Sequence, residues 1–181
     1  TTANPRAWLD GFVRVRCGSM QPDGRPLYAW RCTDAEYEEL RALMAVQFTA
    51  VDRHGHFVER GAEALLCLYA AEAWRRTHEA GAWKWQIVLD QAGVAPGWYR
   101  RHYVALTGAI GIGLDYWQRS LLVLNGTHEY LLTVACEGGL PLRLLEREGT
   151  RLRAYFLTLQ DEARRLRLED EAALAGLASG W

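Results

Sequence analysis

Two groups of residues carry side chains whose types and spacing suit chemistry. Asp52-Arg53-His54-Gly55-His56 sets alternate histidines beside an aspartate, a nitrogen and oxygen donor set of the kind that binds zinc and related ions. Glu59 or Glu63 stands one turn on as a further ligand. A small metal-dependent hydrolase built on Asp52, His54 and His56 is therefore one expectation, set against the commoner role of such a string as a solvated polar loop. The second group is basic and aromatic: Arg75 and Arg76, then Trp83, Lys84 and Trp85, then Trp98 with Arg100, Arg101 and His102. Arginine and lysine neutralise phosphate and aromatic rings stack on bases, so this mixture suits a single strand or a structured end of DNA or RNA. The competing assignment puts the tryptophans in the core and the arginines on a solvated face.

No other motif completes a catalytic set. The four cysteines, Cys17, Cys32, Cys67 and Cys136, contain no C-x-x-C pair, and Cys67 and Cys136 lie in apolar runs that read as buried thiols. Ser120 sits in RSLLVL rather than on a G-x-S-x-G elbow. Gly108, Gly111 and Gly113 form G-x-x-G-x-G after a helical segment, which is not the dinucleotide fingerprint and fits close helix packing or a kink better. Glu137 precedes Gly138-Gly139-Leu140-Pro141, a helix stop that could also present a carboxylate at a sharp turn. No metal or other cofactor is expected, and a non-enzymatic role is favoured.

The elements that position these groups read as helices. Half of the 181 residues are hydrophobic and 24% are charged, ordinary proportions for a folded chain. The formal net charge of −1 leaves any attraction to nucleic acid to local clustering; Lys84 is the single lysine among 21 basic residues. No apolar run reaches the roughly 18 residues needed to span a bilayer, and with unpaired cysteines the expected place is the cytoplasm, away from membranes.

Residues 1–32, rich in Gly, Pro and aromatic residues, are expected to form an arm or a small β-hairpin turning at Pro22-Asp23-Gly24. Thr33-Asp34-Ala35-Glu36 matches a capping box and predicts a helix over 34–47. AEALLCLYAAEAWRR predicts a central helix over 62–80, and Gly81 and Gly93 are read as stops for it and for a short helix over 83–92. Pro96 opens a helix running to Leu106, the GAIGIG string is expected to loosen it, and helix returns over 114–124. Asn125 or Thr127 is read as the cap of a helix ended by Gly138-Gly139, and Thr150 as the cap of another. The sum is a single all-α domain over 1–181: an irregular bundle of seven or eight helices over 33–181, preceded by the arm or N-terminal β-hairpin.

PLYAWRCTDAEYEELRALM, the WRR and GAWKW strings at residues 74–85, and CEGGLPLRLL at 136–145 resemble the N-terminal region of large bacterial proteins encoded on genomic islands beside helicases and phage-defence genes. The resemblance covers residues 26–159 and carries over no catalytic residue. It implies a helical module of a larger multidomain defence protein, which the missing initiator methionine also suits.

The leading expectation is thus a non-catalytic recognition or assembly module of a bacterial anti-phage defence protein. Its partner would be another protein or neighbouring domains of a longer chain. Nucleic-acid binding through the arginine and aromatic residues is the first alternative, and the hydrolase the second.

Overall fold

Asn4 starts the first helix, its side chain accepting hydrogen bonds from the amides of Arg6 and Ala7, and Pro5 occupies a first-turn position where its missing amide costs nothing. Helix α1 (Pro5–Cys17) buries Leu9, Phe12 and Val13 at helical spacing and stops at Gly18 in the left-handed conformation. The expected N-terminal arm or hairpin is therefore a helix over 13 of its 32 residues. An Asn-Pro start and an i, i+3, i+4 apolar stripe outweigh the local glycine content. The computed structural model describes residues 4–77, 84–139 and 142–166.

After a 3₁₀ turn (Leu27–Ala29), helix α2 (Asp34–Thr49) opens with the capping box in full. Helix α3 (Ala62–Thr77) is the axis of the fold. Leu65, Leu66, Cys67, Leu68, Tyr69 and Ala70 are all fully buried in succession, because α1, α2, α4 (Trp85–Gln91), α5 (Trp98–Tyr116) and α6 (Tyr130–Gly138) all pack on it. Two glycines set the closest approaches. A Cβ on Gly113 would strike the Glu63 carbonyl and the Cys67 sulfur, and one on Gly138 would lie 2.6 Å from the Ala71 carbonyl oxygen. Close packing was the expected use of the first of these.

Three boundaries differ from expectation. Helix α5 continues through GAIGIG to Tyr116, interrupted only by non-helical backbone at His102, since burial of Ala105, Leu106, Ala109, Ile110 and Leu114 outweighs the weak propensity of its glycines. Its end brings Trp117 into the core, where the indole donates to the Ala64 carbonyl at 2.8 Å and meets Trp30 edge-on. Residues 118–129, expected to continue as helix to Leu124, are not helical. A small antiparallel hairpin pairs β1 (Val123–Leu124) with β2 (Thr127–His128), and Asn125 and Gly126 both take positive φ between them, the Asn-Gly signature of a tight hairpin turn. The β element thus lies here and not near the N-terminus. Finally, helix α7 (Leu142–Leu166) runs unbroken through Gly149 and Thr150, so Thr150 is no cap.

The architecture is all-α, with seven α-helices and this one hairpin among the described residues. Residues 1–141 and 142–181 form two compact units. The second holds α7, whose surface carries Arg151–Glu148 and Arg164–Asp161 pairs. Among the described residues no helix is long and apolar enough to cross a membrane. The stop expected at Gly81, with Trp83 and the chain beyond Leu166, lies outside the described residues.

Candidate functional site

Two buried carboxylates organise the side of the bundle where the 3₁₀ turn lies. Glu72 of α3 is 2% exposed and receives three charged donors: Arg75 through Nε at 3.2 Å and Nη2 at 2.7 Å, and Arg76 through Nε at 3.0 Å. It also accepts from the Cys32 amide at 3.3 Å. Arg76 then donates to the Cys32 carbonyl and pairs with Asp34 at the start of α2, with its guanidinium over the Tyr37 ring. Glu137 of α6 repeats the device at the other end of the same segment. It accepts from the Leu27 amide at 2.9 Å and from Arg119 Nε at 2.8 Å, while Arg119 also donates to the Gly24 carbonyl.

Residues 24–34 are consequently clamped at both ends by a carboxylate and an arginine that reach its backbone. Trp74 donates to the Gly139 carbonyl, and Gly139 lies against Tyr28. The strings PLYAWRC, WRR and CEGG therefore meet in one place. Glu137 reads in the sequence as a helix stop that could present a carboxylate, and Glu72 is not among the candidates; a charged residue within the apolar AEALLCLYAAEAW run is the available signal, since a buried charge requires a partner.

The expected binding surface is divided by this arrangement. Arg75 is 7% exposed and Arg76 is held on two sides, so this pair is structural and is not an open surface. Trp85 and Trp98 are buried, Trp98 against Phe48 and His102, and neither presents a ring face for stacking. Trp83 lies outside the described residues. Lys84, Arg100 and Arg101 are exposed, and His102 is half-buried under the turn at Gly55.

That contact joins the two candidate groups, since Gly55 belongs to the Asp52-to-His56 string. The string is a capped turn: Asp52 Oδ1 accepts from the amides of His54 and His56. These backbone donors, that of His56 foremost, hold the Asp52 carboxyl below its ordinary value. Among the described residues no group of three histidine, cysteine or acidic side chains is placed to hold a metal ion. Asp52, His54 and His56 do not form a ligand set: Asp52 Oδ1 serves the backbone, Oδ2 lies 3.4 Å from His56 Nδ1, and His54 Nε2 accepts from Arg53 Nε.

A cleft of about 480 Å³ opens beside Glu137, lined by Tyr28, Arg119, Ser120, Thr133 and Cys136. Its polar groups are engaged locally: Thr133 donates to the Glu129 carbonyl and accepts from the Leu122 amide. Cys136 is exposed at this cleft and not buried as its apolar run suggested, because α6 turns that side of the helix outward; partial desolvation, and then the charge of Glu137, still push its thiol up, away from the thiolate that nucleophilic attack requires. Burial pushes Cys32 and Cys67 up as well.

The outer face of α5 is different. Val104 is 82% and Ile112 60% exposed, Gly108 between them has nothing within 4 Å of where a Cβ would stand, and Arg100, Arg101 and Asp115 lie exposed at its two ends. It is an apolar strip with charged ends on a helix whose other side packs on α3.

Residues 1–140 match the YjiT N-terminal domain family. Protein YjiT of Escherichia coli strain K12 is 32% identical over 155 residues, which cover 83% of this chain and 28% of that protein. The chain therefore spans little more than a quarter of the curated relative it matches. No solved structure matches it. With its capped α2, its buried Glu72 and its clamped segment 24–34 all inside the matched residues, the chain belongs to the YjiT N-terminal domain family.

Proposed function

We propose that this domain is a recognition and assembly module of a longer YjiT-type protein, and that it docks protein surface through the outer face of α5. The observation that carries this reading is the exposure of Val104 and Ile112 beside Arg100 and Arg101, while the buried charges of the domain serve its own backbone. Large exposed apolar side chains grouped on one rigid helix mark interaction sites more often than single scattered ones do. The four free cysteines support a reducing compartment such as the cytoplasm. An anti-phage setting is supported by the resemblance to island-encoded proteins.

Nucleic-acid binding through Lys84, Arg100 and Arg101 is the second reading, favoured by their exposure but not by the burial of Trp85 and Trp98. Anisotropy titrations with labelled single- and double-stranded DNA and RNA, at low and physiological salt, separate the two. The assembly reading expects no binding even at low salt. Binding that weakens steeply with salt and is lost in the Arg100→Ala/Arg101→Ala variant would replace it with the nucleic-acid reading.

A further inference from the structure

The exposed face of α5 is self-complementary, and we infer that its partner is the same face of a second copy of this chain, paired antiparallel about Gly108. This inference rests on the assembly reading and names its partner. In a twofold contact, where residue i meets residue j, j also meets i, so with the axis at Gly108 position 108−n of one copy meets 108+n of the other. On that rule Val104 meets Ile112 twice, four residues on either side of the axis. Asp115, seven residues beyond the axis, meets the end of the helix that carries Arg101 and, one residue earlier, Arg100.

Every member of the set is exposed, and no hydrogen bond or ion pair within the described residues engages the Arg100, Arg101 or Asp115 side chains. The spacing fits one helical stripe: residues 101, 104, 108, 112 and 115 recur at three and four, the spacing that keeps side chains on one face. The neighbouring positions Ala105, Thr107, Ala109 and Gly113 are buried against the body of the domain. Gly108 sits at the crossing point, where the absence of a Cβ lets two helices approach to the short end of the usual 8–10 Å interaxial range.

The charge order also suits antiparallel pairing. Arg100 and Arg101 stand at the N-terminal end of α5 and Asp115 near its C-terminal end, each against the helix dipole of its own chain. An antiparallel partner supplies the opposite charge and the opposing dipole at both ends. The backbone departs from helical values at His102, between the arginines and Val104, so both arginines belong in the test.

A single helix pair buries less than the roughly 1,200 Å² of a stable dimer, so the association should be weak, at roughly micromolar concentrations. Sedimentation velocity from about 1 to about 200 µM reads it directly. The expected result is a reversible monomer–dimer equilibrium. Ile112→Asp should leave a monomer with an unchanged melting temperature, since the side chain is largely exposed. Asp115→Arg should weaken the dimer about tenfold or more by placing like charges together. Adding Arg100→Glu and Arg101→Glu to Asp115→Arg reverses both ends at once and should restore association, which no purely structural role of these residues predicts.

A wild-type chain that stays monomeric across this range overturns self-pairing, as does a dimer indifferent to Ile112→Asp or a triple variant that fails to recover. A monomer would leave the assembly reading intact, with a neighbouring domain of the longer protein as the occupant of this face. The anisotropy titration decides that reading independently.

Discussion

The inner side of α3 and the outer side of α5 each carry an adjacent arginine pair, and the two pairs do opposite things. Arg75 and Arg76 occupy the last turn of a helix buried on nearly every face, and both converge on Glu72, whose carboxylate would otherwise lie in the core without a charged partner. Arg100 and Arg101 begin a helix that is buried on one side only, with no acidic partner among the described residues. What separates the pairs is the presence of a buried carboxylate three and four residues upstream. Local sequence around an arginine says little about its role until the burial of its neighbours is known.

The contrast can be broken most severely at Glu72. Glu72→Ala strands Arg75 in the core and frees the Cys32 amide, and should cost about 3–5 kcal/mol in denaturant unfolding. A cost near that of a surface substitution would mean the cluster is not buried as described. The two faces of α5 allow the same contrast on one helix. Gly113→Ala must push α3 and α5 apart and should destabilise by about 1–3 kcal/mol or more. Gly108→Ala meets only open space and should stabilise by about 0.5–1 kcal/mol through helix propensity, measured by thermal melting at low concentration.

The smallest effect is in acid. Hydrogen bonding and charge from Arg76 hold the Asp34 carboxyl below its ordinary 3.8. For Glu36, burial works to raise the carboxyl above 4.5, but hydrogen bonds from Arg16 and the Thr33 amide outweigh it and hold it lower. Both groups are depressed in the folded state, so the stability they add is present above about pH 4.5 and is lost as pH falls through their lowered values. Arg76→Ala should flatten this acid limb, and Arg101→Ala should leave it unchanged. At the other extreme, burial first of all raises the Tyr37 hydroxyl from 10.0 to about 12. Stability should therefore hold below pH 10 and fall between 10 and about 12.

The capped helix α2, the apolar axis α3 and the stop at Gly138-Gly139 were legible in the sequence because their signals are local: a capping box, an alanine and leucine run, a glycine pair. Helix α1 and the hairpin are equally local, marked by Asn4-Pro5 and by Asn125-Gly126, yet the sequence reads there as an arm or hairpin and as a helix cap at Asn125 or Thr127. The clamp on residues 24–34 was not legible. It joins Leu27 to Glu137 and Cys32 to Glu72 across 110 and 40 positions, and only the packing of α6 on α3 brings these groups together. Of the proposed docking face the sequence singles out Arg100 and Arg101 and names Gly108 only as a packing or kink glycine; Val104 falls in the helix expected to Leu106, Ile112 in the GAIGIG stretch and Asp115 in the helix expected over 114–124, where nothing local marks them as exposed.

The most direct measurement is urea unfolding of Arg75→Ala/Arg76→Ala beside Arg100→Ala/Arg101→Ala. The first variant should lose about 2–4 kcal/mol, because Glu72 remains buried without its charged donors, and the second should stay within about 0.5 kcal/mol of wild type. Equal losses, or a larger loss in the second, would contradict the division of the molecule into a clamped interior and an open docking face.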